Sequence, residues 1–231
     1  MLEEFAADIW LANGSEVTAA MGFHYPTRMV IVRLPNGALW VWSPVELTDG
    51  LRAGVEALGT VRYLVAPNHL HHVFIGDWAR AFPEAEVWAA PGLAAKRGDL
   101  TITGTLDDVA DGAWSEVIEQ VVVTGNRLTT EVVFYHRPSR TVLVCDLLQQ
   151  LPVGWFKGWR AIVARLDGMV GLEPGVPKKF RVAFKDKDAA RTAVRRILAW
   201  PARAVVIAHG APVTADGKAF LERAFAWLKP R

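Results

Sequence analysis

The sequence predicts an α/β (α+β) fold built on mixed β-sheets, and three observations carry the prediction. Short runs rich in valine, isoleucine and aromatic residues recur along the chain between Pro, Gly and Asn punctuation. Two segments, near 48–58 and 188–200, space apolar residues helically instead. The order strand, helix, strand across 61–90 makes a βαβ unit, which requires parallel neighbours in part of the sheet. With 52% hydrophobic and 22% charged residues, the chain is too apolar for disorder. A length of 231 residues can bury a substantial core without disulfides, and one domain over 1–231 is expected.

Residues 8–12, 16–23 and 29–34 read as strands, and Pro35-Asn36-Gly37 is a hairpin signal before Ala38-Leu-Trp-Val-Trp42, so the chain begins as an antiparallel meander. Ser43-Pro44 ends it. Thr48 or Asp49 can cap a helix whose apolar residues are Leu51, Val55 and Leu58. Val61 to Val65 is a buried strand, and Asn68 reads as the N-cap of a helix running to about Phe82, stopped by Pro83. Strands are expected at 86–90, 100–103, 115–124, 131–135 and 141–145. Residues 149–180 carry little regular signal but hold Trp155, Phe156 and Trp159 among Gly and Pro, which reads as a lid over a site or as a loop packed on the core or a dimer partner. A helix at 188–200 ends at Pro201, a buried strand covers 204–208, and an amphipathic helix runs from Asp216 or Gly217 to Leu228.

The balance of 26 basic and 24 acidic residues offers no broad attraction to nucleic acid, and Arg191, Arg195 and Arg196 read as a solvated helix face. Cys145 is the only cysteine, so neither an intrachain disulfide nor a thiolate metal cluster can form. Met1-Leu-Glu-Glu lacks the basic start of a signal peptide, and no apolar run approaches the ~18 residues of a membrane span. A cytoplasmic protein is expected, with no nucleic-acid or membrane partner. Its ten tryptophans fit core packing, with an aromatic pocket or homodimer interface as the alternative.

Three strand ends carry groups able to ligate a metal. His69 and His71 follow the strand at 61, Asp146 follows the strand at 141, and His209 follows the strand at 204. In extended backbone i and i+2 point the same way, so His69 and His71 can converge on one ion, and imidazoles with one carboxylate suit Zn, Mn or Fe. Asp146 could equally cap the following segment. His24 and His136 read as hydrogen-bonded structural histidines, and Cys145 as buried and inert.

The order of these elements resembles the metallo-β-lactamase superfamily. Asn68-His69-Leu70-His71 is similar to the first half of its His-x-His-x-Asp-His loop, Asp146 to its later aspartate, and Ala208-His209-Gly210 to its last motif. Arg28-Met29, Arg33-Leu34, Ser43-Pro44, Pro67-Asn68, His71-His72, Phe74 with Trp78, Phe134-Tyr-His136 with Ser139, and His209-Gly210 resemble an uncharacterised branch of it, a domain of unknown function. The resemblance implies a four-layer αββα sandwich of two mixed sheets flanked by helices. It departs at Val73 and Phe74, which stand where the loop has Asp and His, and at Gly125-Asn126, which stands for Gly-His. A dinuclear centre is therefore not expected.

What remains is a ligand set of His69, His71, Asp146 and His209 for one Zn, Mn or Fe, with His72 and Asn126 as weak substitutes. His209 or His72 would position water or protonate a leaving group. Two functions follow. One is a mononuclear metal-dependent hydrolase of an ester, lactone, thioester or phosphoester. The other is a catalytically degenerate, metal-free member that binds a small molecule or assembles with a partner, suggested by apolar Val73 and Phe74 refilling the pocket as core.

Overall fold

The computed structural model describes residues 1–228. Its strands and helices follow in chain order: β1 (Leu2–Ala6), β2 (Ile9–Thr18), β3 (His24–Arg33), β4 (Ala38–Trp42), α1 (Asp49–Glu56), β5 (Thr60–Ala66), α2 (Ile75–Ala81), β6 (Glu86–Ala89), α3 (Leu93–Lys96) and β7 (Gly104–Thr105). Then come β8 (Ile118–Val123), β9 (Glu131–His136), β10 (Thr141–Gln149), α4 (Trp159–Asp167), α5 (Lys178–Ala183), α6 (Lys187–Ala199), β11 (Ala204–His209) and α7 (Gly217–Ala224). β1 to β7 form one sheet in chain order, and the second runs β11-β10-β9-β8. β1 to β4 pair antiparallel, whereas β4, β5, β6 and β7 are parallel, and β11 lies parallel to β10.

Strand alternation builds four layers. In β3 and β4, Val30, Val32, Trp40 and Trp42 face the second sheet, where they meet Val132, Phe134, Leu143, Cys145, Val206 and Ala208. Their neighbours Met29, Ile31, Leu39 and Val41 face outward onto Val55 of α1 and Ile75 and Trp78 of α2. On the other side, Val142, Val144, Val205 and Ile207 meet Val194 and Ile197 of α6 and Phe220 and Leu221 of α7. Both faces of the central strands are buried, which is why they read as continuous apolar runs rather than alternating ones. The result is the αββα sandwich that the resemblance implies.

Trp40, Trp42, Trp78 and Trp114 are fully buried, each removing a large apolar side chain from water for about 1.5–3 kcal/mol or more. Core packing thus accounts for the bulk of them; Trp159, 46% exposed, does not share it.

Local signals hold where side chains close their own turns. Asn36 Oδ1 accepts from Ala38 N at 3.0 Å across the β3–β4 hairpin, and Gly37 there has φ +80°. Thr48 caps α1 and Asp186 caps α6 by accepting the first free backbone N–H groups.

Several elements differ from expectation. β1 pairs with β2 although its Leu-Glu-Glu-Phe sequence gives only a weak strand pattern. The strand expected at 100–103 lies instead at β7, and that at 115–124 is trimmed by a turn in which Ile118 N donates to Trp114 O. β10 extends four residues beyond Cys145. The segment 149–180 is more regular than expected: α4 and the start of α5 lie in it, around a small core of Leu151, Phe156, Ala164 and Met169. The last helix ends at Ala224, followed by a 3-10 turn at Ala226–Leu228. No helix among the described residues is long and apolar enough to cross a membrane.

Candidate metal centre

The carboxyl ends of β4, β5 and β11 meet the last third of β10 at one edge of the sandwich, and the site is built there. Asn68, expected to cap a helix, does something else, since α2 begins only at Ile75. Its side chain is fully buried, and Oδ1 accepts from the backbone N–H of Leu70 at 2.8 Å and of His71 at 2.9 Å. The chain therefore turns tightly after Asn68 rather than running extended, and the i, i+2 rule fails for His69 and His71. His71 points into the site. His69 points away, its Nε2 against the carbonyl of Pro91.

Three expected ligands come together. His71 Nε2 lies 3.0 Å from His209 Nε2 and 3.3 Å from Asp146 Oδ2, and His209 Nε2 lies 3.2 Å from Asp146 Oδ1. Asp146 and His209 are 4% and 3% exposed. The second nitrogen of each ring is engaged. His209 Nδ1 donates to Pro26 O at 2.8 Å, and because a carbonyl can only accept, Nε2 is the acceptor nitrogen of the neutral ring, the one that can take a metal. His71 Nδ1 sits 2.8 Å from Ser43 Oγ. Ser43 holds φ +50°, an uncommon conformation for a residue with a Cβ, fixed by its N–H donating to Val65 O at 2.9 Å.

These distances suit a small divalent ion. Corners about 2.0 Å from a tetrahedral centre are about 3.3 Å apart, close to the three separations seen. Between His209 Nε2 and the carboxylate oxygen 3.2 Å away there is room for one positive partner, a metal ion or a proton on the ring.

Asp146 is aimed by residues whose functional weight the sequence reading missed. β10 loses register with β11 between Val144 and Gln149, and the freed N–H groups of Cys145, Asp146 and Leu147 all donate to the carboxylate of Glu131, at 2.8, 2.8 and 3.1 Å. Glu131 is fully buried. Burial, with the charge of Asp146 adding to it, raises this carboxyl to about 8, although the backbone donors and Asn68 pull the other way. Asn68 Nδ2 bridges Glu131 Oε2 at 3.2 Å and Asp146 Oδ2 at 2.7 Å, and Gln149 Nε2 lies 3.3 Å from Asp146 Oδ1. For Asp146, burial works to raise the pKa, but His71 and His209 overcome it and hold the carboxyl well below its usual range. The alternative of a helix cap finds no support, because Asp146 lies inside a strand. A lone acidic residue heading the apolar run Glu131-Val-Val-Phe-Tyr was the one signal for Glu131.

Of the remaining expected residues, His72 lines the same cavity as the triad, and the others lie elsewhere. His72 Nδ1 accepts from Arg97 Nη1 at 2.9 Å, and burial, with Lys96 and Arg97 beside it, lowers its pKa to about 4. Its Nδ1 is thus engaged by Arg97 and its ring neutral at pH 7. His209 cannot serve both as ligand and as proton carrier, since both ring nitrogens are committed. Asn126 is tied to α5, its Nδ2 donating to Phe180 O at 2.9 Å. His24 pairs with Glu16 and His136 with Ser139, both structural. Burial and the carboxylates of Glu131 and Asp146 push the Cys145 thiol up, leaving it inert.

The triad lines a cavity of about 240 Å³ together with Tyr25, Ser43, Gln149, Lys179 and the apolar side chains of Val17, Leu70, Val73, Phe74, Leu128 and Phe180. Of Val73 and Phe74, expected to refill the pocket as core, Phe74 packs partly against the outer core, whereas Val73 is 56% exposed at the cavity's edge. Arg28 clamps the strand end that carries His209, Nη1 donating to Ile207 O at 2.6 Å and to Gly210 O.

The fold is metallo-β-lactamase-like, as three solved structures show. A metallo-beta-lactamase from Pontibacter korlensis aligns with TM-score 0.66 at 16% identity, covering 100% of this chain and 99% of that one. The metallo-beta-lactamase FIM-1 from Pseudomonas aeruginosa, in its mono-zinc form, aligns at 0.61 and 14%, covering 100% and 96%. The metal-soaked flavodiiron core Flv1 from Synechocystis sp. aligns at 0.64 and 11%, covering 99% of this chain and 60% of that one. At these identities the likeness is one of fold. No curated protein matches in sequence. Residues 9–157 match the model described as "Domain of unknown function (DUF4336)", and the chain belongs to that family.

Proposed function

We propose that the protein is a mononuclear metal-dependent hydrolase of an ester, lactone, thioester or phosphoester, with His71, Asp146 and His209 as its metal ligands. The observation that carries this reading is the convergence of three ligand atoms around one point while the other nitrogen of His209 is committed to Pro26 O. His209 Nε2 faces Asp146 Oδ1 at 3.2 Å and His71 Nε2 at 3.0 Å, an arrangement a cation satisfies. When bound, an ion such as Zn²⁺ lowers the pKa of its water toward ~7 and polarises a carbonyl or phosphoryl oxygen. The chain supplies the rest. Pro26 O and Ser43 orient the two imidazoles, Asn68 and Gln149 orient the carboxylate, and three ligands leave a tetrahedral position open to the cavity.

A metal-free binding module is the second reading, and one contact favours it. If Ser43 Oγ–H donates to His71 Nδ1, His71 Nε2 carries a proton and donates to His209 Nε2 at 3.0 Å. Elemental analysis separates the two. Protein purified without tag or chelator should hold close to one equivalent of Zn, Mn or Fe, kept in His69→Ala and lost in His71→Ala, Asp146→Ala and His209→Ala. No metal after incubation with excess ion would sink the hydrolase reading. With metal present, the four ester classes are then screened for turnover.

A further inference from the structure

We propose that Lys179 and Tyr25 form a head-group subsite for a carboxylate, and that the cavity takes a small amphipathic carboxylate whose apolar chain lies against Leu70, Val73, Leu128 and Phe180. This deepens the hydrolase reading by naming a ligand class, and it rests on that reading only for the ligand being a substrate.

The head-group end follows from hydrogen-bond counting. Lys179, near the start of α5, lines the cavity with its side chain one-third exposed. Of its three N–H donors, one reaches Tyr25 Oη at 3.2 Å and one the weak acceptor Met169 Sδ at 3.5 Å. The nearest carboxylate, Asp167 Oδ2, is 3.8 Å away, an ion-pair distance but too long for a hydrogen bond. No hydrogen bond in the structure takes the third ammonium donor, which a ligand would share with the otherwise unpartnered Asp167 Oδ2. Tyr25 accepts from Lys179, so its own O–H is also free to donate, and its ring packs beside His209 at a centroid distance of 5.2 Å. Two donors side by side match the two oxygens of a carboxylate. The carboxylates of Asp146, which lines the same cavity, and of Asp167, 3.8 Å from Lys179, disfavour a dianion such as phosphate more than a monoanion.

The apolar end follows from exposure. Leu70, Val73 and Leu128 line the same cavity yet are 43%, 56% and 49% exposed. Large aliphatic side chains left wet around a cavity that also holds an incompletely paired cation fit a ligand that is apolar at one end and anionic at the other.

Octanoate is the probe, titrated calorimetrically into the full chain both as purified and after EDTA treatment. Saturable one-to-one binding is expected, about tenfold or more tighter than octanol or acetate, as a charge-assisted hydrogen bond and a buried chain each provide. Lys179→Met should weaken octanoate about tenfold and Tyr25→Phe by a few-fold, without changing metal content. The comparison among ligands on the unmutated protein stands even if a variant fails to fold. Octanol or acetate binding as tightly as octanoate, octyl phosphate binding more tightly, or indifference to Lys179→Met would overturn the proposal. Metal at one equivalent with no head-group preference would overturn it while leaving the metal centre intact. Preference for octanoate in metal-free protein would support it even where the metal reading fails.

Discussion

Replacing Asn68 with alanine strips four hydrogen bonds from a residue with no exposed surface. Two are backbone N–H groups, of Leu70 and His71, that lose their acceptor; two are the carboxylates of Glu131 and Asp146, which lose a shared donor. Neutral bonds contribute about 1 kcal/mol each and those to charged groups about 1.5–3, so the upper bound is about 8 kcal/mol. Water entering the space left behind recovers part of it, and a loss of about 3–5 kcal/mol is expected, a large share of a typical ~5–15 kcal/mol domain stability. Asn68→Asp separates the two halves of the effect. It keeps the acceptor that makes the turn but puts a third carboxyl group against two others. Holding the new group protonated at pH 7 costs about 4 kcal/mol against its ordinary pKa. Urea unfolding at pH 7 reads both variants. If Asn68→Asp stays within about 0.5 kcal/mol of the parent, inside the range of ordinary surface substitutions, the carboxylate bridge is not what the geometry says it is.

Two further outcomes are expected. Ser43→Ala removes the partner of His71 Nδ1 and should weaken metal affinity about 10–100-fold, read by chelator competition, whereas an unchanged affinity would show that Ser43 does not orient the ligand. Burial lowers the His136 imidazole to about 4, so the unfolded chain, titrating near 6.5, takes up the proton first. Stability is then complete above about pH 6.5 and falls as pH drops toward 4, by about 1–3 kcal/mol, and His136→Asn should flatten that slope in urea midpoints measured across the window.

The fold was legible because burial on both faces of β4, β5, β10 and β11 writes itself as apolar runs, and because Asn36, Thr48 and Asp186 close their turns with neighbours in sequence. The place of the site was legible too, since His71, Asp146 and His209 each follow such a run. What the sequence could not show is what depends on partners far along the chain. Asn68 satisfies two backbone groups two and three residues on, which turns His69 out, but its other hand reaches Glu131 and Asp146 from 63 and 78 residues away. Glu131 looks like an ordinary strand start until the bulge at 145–147 is seen to need its carboxylate. Arg97 silences His72 across 25 residues. The helix α4 was hidden because Gly and Pro at both ends of its segment outweigh nine residues of helical spacing.

Whether two imidazoles and one carboxylate hold a single ion is read by X-ray absorption at the metal edge of the zinc-loaded protein. Two nitrogen ligands with imidazole scattering at about 2.0–2.1 Å, oxygen completing the shell, and loss of the signal in His209→Ala are expected. A third imidazole, which would return His69 to the site, or a second metal at about 3.5–4 Å would refute a three-ligand mononuclear centre.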